Sequence, residues 1–229
     1  METKQKFDPF LFFRKALPYL ILPIFLLSVL IITLIVDRIY AGNIVSLYLT
    51  PYTPNNELSS AFVFDGWANY ALFFYMTAVS TVCIMFLPAE QKYLRALFLA
   101  VGTIYIGLYA EMYVFNNIYM QHIGYYGQSG LTMALTGLVV GTILIDITYS
   151  ALSHNIGISV VLLAIIAFIF SQYMYNSNAF FLVGVEHIAW QVHETAFYTG
   201  VIVGMFFAIL QYISIYMMNR QYGFQEILA

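Results

Sequence analysis

The chain has 229 residues, 62% of them hydrophobic and 8% charged, with eight Lys+Arg, eleven Asp+Glu and a formal net charge of −3. A soluble domain carries about 25% charged residues, so this composition excludes a water-soluble enzyme and a disordered chain alike. No basic cluster lies beyond the first 15 residues, so nucleic-acid binding has no electrostatic footing. The single Cys83, inside an apolar run, excludes a disulfide framework and a thiolate metal site.

Six apolar stretches approach or exceed the roughly 20 residues that a bilayer-crossing helix needs. They cover 17–36, 61–87, 94–114, 129–149, 158–174 and 193–218. The pattern predicts an all-α integral membrane protein, multi-pass in the cell membrane, with one six-helix domain: a segment 1–16, a core 17–218 and a tail 219–229. Pro18 and Pro23 are expected to open the first span and Pro88 to close the second. The first run is too long for a cleavable signal peptide, and no small-residue cleavage site follows it. Lys4, Lys6, Arg14, Lys15, Lys92, Arg95 and Arg220 fall on one side of these spans and only Arg38 on the other. The positive-inside rule therefore places both termini in the cytoplasm and the 38–60, 115–128 and 175–192 loops outside.

Polar groups at membrane depth are expensive and are candidates for function. The fourth span opens with Gly127-Gln128-Ser129-Gly130 and continues through Ala134, Gly137 and Gly141. Taken alone, Ser129 reads as a helix N-cap, and the motif is not the G-x-S-x-G elbow of the α/β hydrolases, since position 131 is Leu. The sixth span opens with His193-Glu194, followed by Ala196, Gly200 and Gly204 at i, i+4 and i+8. A lone His at a helix start is by default an interfacial hydrogen-bonder. The small residues predict close helix packing on both spans, and such packing is what brings a short Ser side chain within reach of a His on another helix. With the N-terminus inside, Ser129 and His193 each begin a helix at the outer surface, and Asp65 and Asn69 lie in the outer part of the second span, one turn apart.

The chemistry suited to this set is acyl transfer. His193 would take the Ser129 proton during attack and return it to the leaving amine. The Ser129 backbone N–H and the Asn69 amide would serve the tetrahedral oxyanion. A triad acid is not required, and Glu194 points about 100° away from His193 around the helix.

This arrangement resembles the rhomboid family of intramembrane serine proteases. The resemblance rests on six spans, on Gly127, Ser129 and Gly130 opening the fourth with Ala134, Leu135 and Gly137 downstream, and on His193 with Ala196 and Gly200 on the sixth. It implies a Ser129–His193 dyad and cleavage of single-span membrane proteins near the outer leaflet, beside helices two and five, without a cofactor. The family commonly carries His-x-x-x-Asn on its second helix, both side chains supporting the oxyanion. Here the segment is Asp65-Gly-Trp-Ala-Asn69, so Asn69 matches and Asp65 replaces the His. The Trp-Arg pair common in the family's first external loop is absent from 38–60. A second reading is a catalytically silent rhomboid-like protein that binds transmembrane helices in quality control or trafficking. A third, a six-helix transporter or channel subunit, lacks inverted repeats and paired broken helices.

The remaining polar residues receive structural readings. Asp146 is expected to snorkel at the cytoplasmic interface and Glu111 to brace the external loop, with a proton relay the sharper alternative for both. His122, Glu186 and His187 on external loops would flank His193, but Phe197 stands where an H-E-x-x-H metal motif needs its second His, so no metal is expected. His154 falls on a cytoplasmic loop, and the ten Met and forty Phe and Tyr are expected to face lipid and its interface. The small-residue stripes are compatible with a monomer or a weak homo-oligomer.

Overall fold

The structure, a computed structural model, describes residues 9–39, 62, 67–117, 129–175 and 190–228. All regular structure among these residues is helical: α1 Pro9–Ile39, α2 Trp67–Met85, α3 Ala89–Asn117, α4 Ser129–Leu152, α5 Ile156–Tyr175 and α6 Trp190–Leu228. Among the described residues, four helices contain stretches long and apolar enough to cross a membrane, namely Lys15–Val36, Gln91–Val114, Ser129–Leu152 and Gln191–Met217. The apolar parts of α2 and α5, Tyr70–Met85 and Ile156–Ile169, are shorter.

Side-chain pairings fix the direction of each helix. Tyr70 donates its hydroxyl to the Leu26 carbonyl, and Phe25 meets Phe73, so α1 and α2 are antiparallel. Gly102 lies against Leu138, Gly107 against Leu131, and Arg95 against Asp146, so α3 and α4 are antiparallel too. Gly130 lies beside Val192, and Tyr212 bonds Asp146, which makes α4 and α6 parallel. The short turns at 86–88 and 153–155 reverse the chain between α2 and α3 and between α4 and α5. The starts of α2, α4 and α6 therefore share one end of the bundle.

α4 is the central helix, and every residue from Ser129 to Ile143 is buried. That matches its sequence, which is apolar or small all the way round, as a helix enclosed on every side must be. Its most extensive partner is α6, followed by α3. The outer helices leave Leu, Ile, Val and Phe side chains uncovered, among them Ile24, Leu27, Ile35, Val160, Leu163, Ile202 and Phe206. Not all the large apolar residues face outward, since Phe73 and Met76 are core residues.

Several helix ends differ from the expected ones. α1 starts at Pro9, so Pro18 and Pro23 lie inside it instead of opening it. Proline removes one i→i−4 bond and breaks helices in water, but long apolar helices accommodate it where neighbouring groups satisfy the freed carbonyl. α3 starts at Ala89 instead of 94, and α6 runs to Leu228 past the expected 218, because polar residues extend a helix beyond its apolar stretch. Pro88 does end α2, through two i→i+3 bonds from Phe86 to Cys83 and from Leu87 to Ile84.

The largest correction concerns Asp146. It does not snorkel at an interface. It is buried, and its two oxygens accept both terminal nitrogens of Arg95 at 3.0 and 3.1 Å. The Tyr212 hydroxyl adds a third bond at 2.8 Å, and the Gln211 side chain accepts Arg95 Nε at 2.8 Å while donating to the Gln91 carbonyl at 3.1 Å. Arg95, counted above as a loop charge, is thus an internal ion-pair partner. The network ties α3, α4 and α6 together at the end opposite Ser129. Burial there is tolerable only because the pair is bidentate and its remaining valences are filled.

Candidate active site

Ser129 is the first residue of α4 and His193 lies in the first turn of α6. Both are buried, as are Glu111, Thr132 and Val192 around them. Glu111, Ser129, Thr132 and His193 each engage a neighbouring group.

Along their small-residue stripes, α4 and α6 meet backbone against backbone. A methyl group placed on Gly200 would stand 2.8 Å from the Ala134 carbonyl oxygen, and one on Gly204 would stand 2.5 Å from that of Leu138. Methyls on Gly137 and Gly141 would collide with the carbonyls of Phe197 and Val201. Ala134 and Ala196 are fully buried. The side chains with the least volume thus occupy the positions where the two helix surfaces nearly touch.

This contact defines the register. Gly137 meets Gly200, an offset of 63 positions, and Gly130 meets Val192, an offset of 62. Continued to the start of α4, the register sets Ser129 level with residues 191–192. His193 is then one or two residues away, about 1.5–3 Å along the axis. The two side chains proposed to share a proton therefore start from the same level on helices whose backbones are in contact.

α3 closes the third side. Gly107 faces Leu131, where a methyl would stand 3.3 Å from the Leu131 Cα, and one turn further on Glu111 brings its carboxylate to the start of α4. Glu111 Oε1 lies 3.7 Å from the position a Gly130 methyl would take, and Val192 Cγ1 lies 3.4 Å from it. Glu111, expected to brace the external loop, has its carboxylate beside the Ser129-Gly130 segment; the loop 118–128 lies outside the described residues. A buried carboxylate finds favourable surroundings there, because the first N–H groups of a helix are unpaired and carry partial positive charge. Gln191, in the first turn of α6, has a buried Oε1 with no hydrogen-bond partner among the described residues. Nothing in the sequence marked Gln191, whereas Glu111 was visible as an acid at membrane depth and needed only its neighbour.

Asn69 is in the first turn of α2, at the end shared with Ser129 and His193, on a helix that contacts α4. Its side chain, and all of Asp65, Gly127, His122, Glu186 and His187, lie outside the described residues. Among the described residues no three His, Cys, Asp or Glu side chains converge as a metal site would require. His154 is in the turn after α4, exposed and distant from the site. Comparison of the chain with protein-family models, curated proteins and solved structures gave no match.

Proposed function

We propose that the protein is an intramembrane serine endopeptidase that crosses the cell membrane six times with both termini in the cytoplasm. Ser129 is the nucleophile and His193 the base that takes its proton and returns it to the leaving amine. The Ser129 backbone N–H and the Asn69 amide stabilise the oxyanion. The substrates are single-span membrane proteins whose helices unwind locally beside α2 and α5, which favours small or helix-breaking residues at the cleavage point. No cofactor enters this scheme.

One observation carries the reading: the glycine-to-backbone contact between α4 and α6 is in the register that sets Ser129 and His193 at one level. Packing alone would be served by any register that aligned the small residues. The resemblance of the two motifs to those of rhomboid proteases supports the same assignment.

A silent helix-binding protein is the second reading, and Glu111 favours it. An ionised carboxylate next to the start of α4 opposes a negative charge developing on a substrate oxygen there. Cleavage of a single-span substrate in proteoliposomes, by wild type and Ser129→Ala matched for folding, separates the two. Turnover lost in Ser129→Ala supports the protease, and equal product from both removes Ser129 from the chemistry. Labelling of wild type by a fluorophosphonate, absent in Ser129→Ala, identifies an activated serine without requiring the right substrate; no labelling favours the silent binder.

A further inference from the structure

Between α1 and α2 lies a groove of about 530 Å³, lined by Pro23, Leu26 and Leu30 on one side and by Phe74, Thr77 and Val82 on the other. Tyr70 crosses it at one end, where its hydroxyl is bonded to the Leu26 carbonyl at 2.6 Å. The other end is approached by a cation. Tyr19 precedes Pro23 by four residues, so it continues the groove face of α1 one turn further. The Lys92 ammonium donates to the Tyr19 hydroxyl at 2.5 Å and lies 5.1 Å from the centre of its ring. Lys92 is in the first turn of α3, joined to the Thr81–Val82 end of the groove by the tight turn at Pro88.

We infer that this groove is a binding site for one anionic phospholipid, with an acyl chain along α1 and α2 and the phosphate at Lys92. The apolar walls match a hydrocarbon chain and exclude a polar ligand. Lys92 supplies a positive charge, one turn beyond the end of the apolar surface, where the headgroup of such a lipid would come. The Tyr19 ring and hydroxyl hold the ammonium at that point, which a freely moving surface lysine would not provide. A zwitterionic lipid would fill the same walls but gain less at Lys92. The inference depends on residence in a membrane and is independent of the protease reading.

The test is native mass spectrometry of the full chain in detergent, supplied with phosphatidylglycerol or phosphatidylcholine of equal chain length. Wild type is expected to retain phosphatidylglycerol in preference. Lys92→Gln is expected to lower that retention about fivefold, the weight of one Lys at an anionic membrane surface, and Lys92→Arg to preserve it. Ala78→Trp, which fills the groove from an exposed position, is expected to reduce retention of both lipids. Thermal unfolding of each variant confirms its folding, and Ala78→Trp against wild type remains decisive if Lys92→Gln does not fold. Equal retention of the two lipids by wild type overturns the inference, as does a preference that survives Lys92→Gln or retention unmoved by Ala78→Trp.

Discussion

At the scale of single residues, Glu111, Gly130 and His154 each make a measurable claim. Glu111 puts a buried carboxyl group at the start of α4. Glu111→Gln keeps the shape but turns one acceptor oxygen into a donor, so it should lower stability by about 1 kcal/mol in thermal unfolding in detergent. Gly130 has room for a methyl, with Val192 at 3.4 Å and Glu111 at 3.7 Å. Gly130→Ala should therefore fold like wild type in thermal unfolding, and under the proposed protease function a loss of turnover would report on approach of substrate to Ser129. His154 has φ 58°, the left-handed conformation that glycine adopts most cheaply. It closes α4 with Asn155 N–H bonded to the Ser150 carbonyl at 2.8 Å and its own N–H to Ala151 at 3.1 Å, the paired bonds of a Schellman motif. His154→Gly should stabilise the protein by up to about 1 kcal/mol, the cost of a side chain in that region.

At the scale of elements, the α4–α6 contact is where small substitutions should have large effects. A Gly137 methyl meets the Phe197 carbonyl, and backbone has no rotamer by which to yield. Gly137→Ala must push the helices apart, costing about 1–3 kcal/mol as overpacking does and separating Ser129 from His193. Gly157, in the first turn of α5, has nothing within 4 Å of an added methyl, so Gly157→Ala is the matched control. It should leave stability unchanged or raise it by up to about 1 kcal/mol through helix propensity. If Gly137→Ala instead melts and cleaves like Gly157→Ala, the close contact has no role. The small-residue stripes at Ala134, Gly137, Ala196, Gly200 and Gly204 were legible in the sequence as helical spacing. Which helix each stripe faces was not, because spacing specifies a face and leaves its partner open.

At the scale of the whole molecule, the two ends of the bundle have different jobs. One end holds Ser129, His193 and Glu111, and the other is tied by the Arg95–Asp146 pair with Gln211 and Tyr212. Removing one member of a buried pair leaves an uncompensated charge, so Asp146→Ala should cost about 3–5 kcal/mol. Arg95→Met with Asp146→Leu together should cost much less than Asp146→Ala alone, because no charge is then stranded. Unfolding of the two variants in detergent checks this directly. A single Asp146→Ala as stable as wild type would mean that the pair contributes nothing to holding α3, α4 and α6.

The sequence by itself determined the composition class, the helical character of the apolar segments, and the helices on which Ser129, His193, Glu111 and Asp146 fall. These are local properties: hydropathy over a window and spacing along one helix require no knowledge of neighbours. It also singled out Ser129 and His193, because both are polar residues at the starts of apolar helices flanked by small-residue stripes. Only the tertiary structure decided that α4 lies at the centre, that its partner is α6, and that the register levels Ser129 with His193. It alone paired Asp146 with Arg95, 51 residues apart, and brought Glu111 to Gly130. The reason is physical: a charge or a glycine stripe has a defined chemistry in sequence, but its energy depends on what stands opposite. That is set by packing between helices distant along the chain.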